Sequence, residues 1–252
     1  MHVRAALGGV VACLVAMPAQ AAAPPYPAMA PIARYRMASV AAEIALARSA
    51  APPAISEYAE IRVLGARGYD VAVKGTNGFV CLVQRSWANQ FGDTEFWNPK
   101  DRSPLCVNPA AARSVLPEYF LRTSWVLAGD TRAQITTNAK AAVASKRITE
   151  PAVGAMAYMM SKDGYLNDDA RGPWHPHVMF FLPPTADAQL GANIVDSAIY
   201  SATDPIEPIT TVLVPIGKWS DGTPYIKRAK HIGTRASRLK GLRGRPDKVP
   251  GC

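Results

Sequence analysis

The chain has 252 residues, 49% of them hydrophobic and 19% charged, which excludes a disordered or collagen-like protein and leaves enough length for one substantial core. It carries 28 Lys+Arg against 19 Asp+Glu, a net charge of +9, yet nine of the basic residues and a single acid, Asp247, lie between Lys227 and Lys248. Without that stretch and Arg4, acids and bases balance, so the charge gives no reason to expect the folded body to bind nucleic acid.

Met1 to Ala21 reads as a secretory signal peptide. His2 and Arg4 precede an apolar run from Ala5 to Met17, and Ala19-Gln20-Ala21 supplies a small-x-small cleavage pattern. The run of about 13 residues is shorter than the roughly 20 needed to span a bilayer as a helix. A periplasmic or secreted protein without a transmembrane segment after signal removal is therefore expected. Val10 to Cys13 is a weaker match to a lipidation box.

Residues 22–34, rich in Ala and Pro, predict a flexible leader, and 35–222 a single domain. Tyr35 to Ser49 has helical spacing and stops at Pro52-Pro53. Ala59–Leu64, Tyr69–Lys74 and Phe79–Arg85 are short β-rich runs separated by Arg67-Gly68 and Thr76-Asn77-Gly78, the pattern of an antiparallel meander with a tight Asn-Gly turn. Residues 87–108 read as an ordered covering loop. Asn108-Pro109 starts a helical stretch to Ala128, interrupted at Pro117, and Asp130 is a candidate cap for a second helix to Lys146. Strand patterns return at Ala155–Ser161, Val178–Leu182, Asn193–Ser201 and Thr210–Ile216. The order predicts an α+β fold, a mostly antiparallel sheet with helices on one side. Residues 223–252 read as a basic, disordered tail, either a solvated appendage, an acidic-surface binder, or the product of a frameshift near Thr223.

Once Cys13 leaves with the signal, Cys81 and Cys106 are the natural pair in an oxidising compartment. They form either a disulfide closing a loop of about 25 residues or two buried thiols, since cysteine is among the most buried residue types. Trp174-His175-Pro176-His177 is the densest chemical motif. Two histidines at i and i+2 in an extended segment share a face, and imidazole is the usual ligand of zinc and other transition metals. Asp163, Asp168 and Asp169 in the preceding loop could add an oxygen ligand. The competing reading is structural, because His177 leads a segment apolar on both faces, the mark of a buried strand. Nucleophile elbows, redox Cys pairs, P-loops, dinucleotide fingerprints and calcium loops have no match in the chain. The aromatic residues beside Asp163-Gly164 and Asp221-Gly222 read as turns or as the rim of a ligand site.

The segments GTNGFVCLVQR (75–85), FWNPK (96–100), YMMS (158–161), WHPHVMFF (174–181) and KWSDG (218–222) together resemble a family of exported bacterial proteins. The resemblance spans about 40–223 and implies export and a shared α+β fold, with no reaction and no catalytic residue to carry over; the basic tail departs from it. The expectation is an exported protein that binds a small molecule or protein partner without cofactor or catalysis. The alternative is a zinc-type metal hydrolase built on His175 and His177.

Overall fold

The computed structural model describes residues 25–168 and 175–226. The signal segment, Asp169, Trp174 and the charged stretch from Lys227 lie outside that range. Short runs rich in apolar residues build the first strands, β1 (Glu60–Leu64), β2 (Tyr69–Val73) and β3 (Val80–Gln84). β1 and β2 pair as an antiparallel hairpin. The third strand corrects the expected meander: β3 lies beside β1, parallel to it, with Glu60 opposite Val80 and Ile61 opposite Cys81.

The segment Lys74–Phe79 is therefore a crossover beneath the start of β1, and the Asn-Gly pair closes no hairpin. The amides of Thr76 and Asn77 both donate to Tyr58 O, at 2.8 and 3.3 Å. Asn77 Nδ2 donates to Ile55 O, and its Oδ1 accepts from Phe79 N. A Cβ on Gly75 would sit 2.1 Å from Glu60 N, so only glycine lets the two backbones pass. Gly78 supplies the positive φ of 76° that turns the chain into β3.

The full sheet has eight strands in the order β2-β1-β3-β4-β5-β6-β8-β7, adding β4 (Ser103–Val107), β5 (Met156–Met159), β6 (His177–Leu182), β7 (Tyr200–Thr203) and β8 (Thr210–Pro215). Every pairing but β1–β3 is antiparallel. The fold is α+β. β4 occupies the end of the expected covering loop. The strand expected over Asn193–Ser201 starts only at Tyr200, because Asn193 and Asp196 take positive φ values of 57° and 64°. Asn193 instead lays its amide along β7, donating to Ser201 O at 2.7 Å and accepting from Ser201 N at 3.2 Å. That blocks part of an exposed sheet edge.

The helices cover both faces of the sheet, which corrects the expected one-sided packing. β3 and β4 are buried almost throughout, so each of their faces needs a cover. On one face Leu82, Leu105, Val107, Ala157, Met179 and Phe181 pack against α3 (Pro109–Ser114) and α4 (Leu116–Leu127). On the other, Ile61, Cys81, Val83 and Cys106 meet Ala47 of α1 (Val40–Arg48) and the Ala50-Ala51 turn that follows it. Cys81 and Cys106 are register partners with Cα atoms 4.0 Å apart, joined by a disulfide.

Local caps set the helix bounds. Ser39 accepts from Ala42 N and starts α1 later than the sequence pattern suggests. A short helix, α2 (Pro53–Ser56), leads into β1. Thr131, and not Asp130, caps α5 (Arg132–Ala144) through a capping box with Gln134. A single turn, α6 (Asp187–Leu190), precedes the Asn193 loop.

The body exceeds its expected bounds. Tyr26, Met29, Ala30 and Ile32 of the leader pack against a second apolar cluster formed by Tyr35, Trp87, Phe91, Phe96 and Trp97 with residues of α4 and α5. At the other terminus Lys218 bridges Pro224, and Trp219 N donates to Thr223 O, so residues 223–225 fold back on the KWSDG turn.

Candidate functional site

Strand register gathers four of the five sequence motifs at one end of the sheet. Gln84, at the end of β3, pairs with Ser103 at the start of β4, so FWNPK fills the connection between them. Arg102 bridges Tyr165 in the loop that follows YMMS. Met159 pairs with His177, and His177 with Pro215, just before KWSDG. The GTNG crossover alone lies at the opposite end. Loops brought together by a rigid sheet are the usual location of binding and catalytic residues.

One part of this end is polar. Asp168 accepts from the hydroxyls of Tyr26 and Tyr165 and from Lys100 Nζ at 2.9 and 3.1 Å. The hydrogen bond from Tyr26 and then that from Lys100 hold its carboxyl below the ordinary range. The loop is anchored from beneath: Asp168 N donates to both oxygens of buried Glu95, at 3.1 and 3.0 Å, and Asn98 Nδ2 donates to Glu95 Oε2 at 2.6 Å. Asn98 Oδ1 in turn accepts from Lys100 N, which sets the turn presenting the lysine.

The other part is aromatic. His175 and Tyr225 pack with ring centroids 4.7 Å apart and planes tilted by 53°, and Tyr225 and Trp219 meet edge to face at 5.5 Å. A Lys162–Asp221 ion pair of 2.6 Å and the bond from Ser220 N to Met160 O pin the KWSDG turn beside them.

The predicted metal ligands separate. Asp168 is engaged by Lys100 and the two tyrosines. Asp163 sits exposed on the turn after β5, its amide donating to Ser161 Oγ. His177 is buried on the α3–α4 face, with Nδ1 2.7 Å from His175 O. A carbonyl only accepts, so Nδ1 carries the proton and Nε2 the lone pair, and burial pushes the ring toward neutrality. Asp169 lies outside the described residues. Among the described residues, no three His, Cys, Asp or Glu side chains form a metal-holding group.

Beneath the loops lies a charged interior absent from the sequence reading. Arg85, fully buried, donates to Tyr35 O, Val83 O and Glu43 Oε1. Asp101 accepts from Ser103 Oγ at 2.5 Å, and burial pushes its carboxyl up to about 8. Arg102 ties the carbonyls of Arg34, Arg36 and Pro99 together. These residues hold the FWNPK loop in place. An Arg directly after an apolar strand and an Asp-Arg pair directly before one were the available signals.

Comparison with protein-family models, curated proteins and solved structures finds no match to the chain. No helix among the described residues is long and apolar enough to cross a membrane.

Proposed function

We propose that this is an exported binding protein that performs no reaction and receives a small molecule or protein segment where the motif loops converge. The observation that carries the reading is the pairing of two surfaces at that one end: a hydrogen-bonding set of Lys100, Asp168, Tyr26 and Tyr165, and an aromatic set of His175, Trp219 and Tyr225. Polar groups that fix orientation beside aromatic area are what a recognition site needs. Ligand-detected NMR against a library of small polar and aromatic compounds tests it. Hits are expected for the wild type and lost in Lys100→Ala/Tyr225→Ala. Hits untouched by that variant would move the site elsewhere, and conversion of a hit to product would end the non-catalytic reading.

One observation favours a second reading, a metal hydrolase on His175 and His177. The two imidazole residues adjoin at the entry to β6, with His177 Nδ1 2.7 Å from His175 O. Zinc content of the purified protein decides: stoichiometric metal lost in His175→Ala/His177→Ala supports it, and equal, negligible metal in both proteins ends it.

A further inference from the structure

We infer that Lys100, Tyr26 and Tyr165 form a recognition site for the carboxylate of a small organic acid, and that the Asp168 side chain is its resident, exchangeable occupant. The inference rests on the binding reading of this end of the sheet and names the class of ligand. Three features carry it.

The first is the number of donors. Each oxygen of Asp168 takes two. Oδ2 accepts from the Tyr26 hydroxyl and Oδ1 from the Tyr165 hydroxyl, while Lys100 Nζ donates to both oxygens, at 3.1 and 2.9 Å. A surface ion pair needs the lysine alone. One ammonium and two hydroxyls converging on a single carboxylate answer both its charge and its lone pairs.

The second is that the donors and the acceptor are held by different means. Tyr165 is fixed by backbone bonds in both directions with Arg102, at 2.8 and 3.0 Å. Lys100 is placed by its amide, which donates to Asn98 Oδ1 at 2.9 Å, and Tyr26 by packing on the aromatic cluster. None of these supports runs through Asp168, so the donor set is pre-organised for an anion. The Asp168 backbone is anchored to Glu95, but its side chain, 34% exposed, is tied down by the carboxylate alone. Rotation about its Cα–Cβ bond carries the carboxylate into water and leaves the main chain in place.

The third is the surrounding charge. Arg102 donates to the carbonyls of Pro99, Asp101, Arg34 and Arg36 and to no carboxylate among the described residues. The neighbouring Asp101 is held toward its neutral form by burial, and Glu95 spends its oxygens on Asp168 N and Asn98. With the Asp168 carboxylate turned out, Lys100 and Arg102 leave the position positive, which favours an acid over its neutral isostere.

The test is calorimetric titration of phenylacetate, and of phenylacetamide as the neutral isostere, into the full-length wild type and Asp168→Ala, each checked for folding by circular dichroism. With Asp168 turned inward, the open form of the wild type is a minor state of about 10% or less. Asp168→Ala is therefore expected to bind phenylacetate at least about tenfold more tightly. Adding Lys100→Met to Asp168→Ala should abolish that binding, and phenylacetamide should bind none of the three chains. If Asp168→Ala does not fold, Asp168→Asn, which keeps the shape and removes the charge, takes its place. No binding of phenylacetate by the folded variant, equal binding by variant and wild type, or equal binding of the amide overturns the inference. The library hits keep the two ideas apart: neutral hits lost in Lys100→Ala/Tyr225→Ala, beside an Asp168→Ala chain that ignores phenylacetate, leave the binding reading standing without the carboxylate site.

Discussion

Arg85 and Arg122 are both shut away from solvent, but their surroundings match them differently. Arg85 faces one carboxylate, Glu43, whose Oε1 also accepts from Leu64 N, and spends its other donors on the carbonyls of Tyr35 and Val83. Arg122 on α4 faces Glu207 through both of its side-chain oxygens, Asp204 at 3.6 Å, and Glu118 one helical turn earlier. Its remaining nitrogen reaches the carbonyls of Trp87, Ala88 and Asn89, and its guanidinium lies 4.1 Å from the Phe91 ring centroid. Three acids against one guanidinium cannot all be charged in a dry interior. Burial first, and then the charge of Glu207, push the Glu118 carboxyl well above the carboxylate range, so it stays neutral. Each centre also has an acid that burial holds toward its neutral form, Asp101 near Arg85 and Glu118 near Arg122; they differ in that Arg85 pairs with one carboxylate while Arg122 faces three acids.

The largest effect that separates the two centres is removal of the cation. Arg122→Ala leaves buried Glu207 without its cation and Asp204 with only the amides of Ile206 and Glu207, and should destabilise by about 3–5 kcal/mol in urea unfolding. Arg85→Ala strands a single carboxylate that keeps one amide donor, so a smaller loss is expected. An equal or larger loss for Arg85 would break the contrast.

The next effect is pH dependence. Asp101, near Arg85, would release its proton at 3.8 in the unfolded chain and at about 8 when buried. The unfolded state therefore binds fewer protons across that window. The stability of the neutral acid is complete below about pH 4 and lost as pH rises toward about 8, at up to about 1.4 kcal/mol per pH unit. Asp101→Asn should flatten that part of the profile.

Glu118 has the same sign, with stability lost as pH rises through its raised value. Glu118→Gln mimics the neutral acid, so it should reduce the slope, leaving stability little changed below the unfolded value of 4.5 and raising it near neutral pH. A large loss in Glu118→Gln at neutral pH would show that Glu118 acts as a charge. The smallest effect is at the surface. Asp221 is held down to about 2, chiefly by Lys162, but the pair is open to water. Lys162→Ala should leave the melting temperature unchanged.

Much of the fold is legible in the sequence where periodicity is local. The strand runs at Glu60–Leu64, Tyr69–Val73, Val80–Gln84 and Thr210–Pro215 fall within the predicted segments, as does the break between α3 and α4. β4 escaped because Ser-Pro-Leu-Cys-Val contains a proline, which argues against a central strand. The sheet tolerates Pro104 because β5 pairs with β4 only at Cys106 and Val107. The expected meander fails because Asn-Gly reports a sharp turn and a positive φ, not which strand the chain meets next. In the candidate site, His175, Asp168 and Trp219 were visible as residue types. Lys100, Tyr26 and Tyr225 were not, since each gains its meaning only from a neighbour distant in sequence. Glu118 and Arg122 read as an ordinary exposed i, i+4 helix pair; nothing local marks them as buried.

By itself, the sequence determined where the apolar runs, turns and caps fall, because these depend on a residue and its near neighbours. It also located the charge excess in the Lys227–Lys248 stretch, apart from a balanced body. Only the tertiary structure decided that β3 lies parallel beside β1, that helices cover both faces of the sheet, and that four motifs separated by more than a hundred residues meet at one end of it. Strand order and the company of buried charges depend on contacts between distant segments, and no local pattern encodes those.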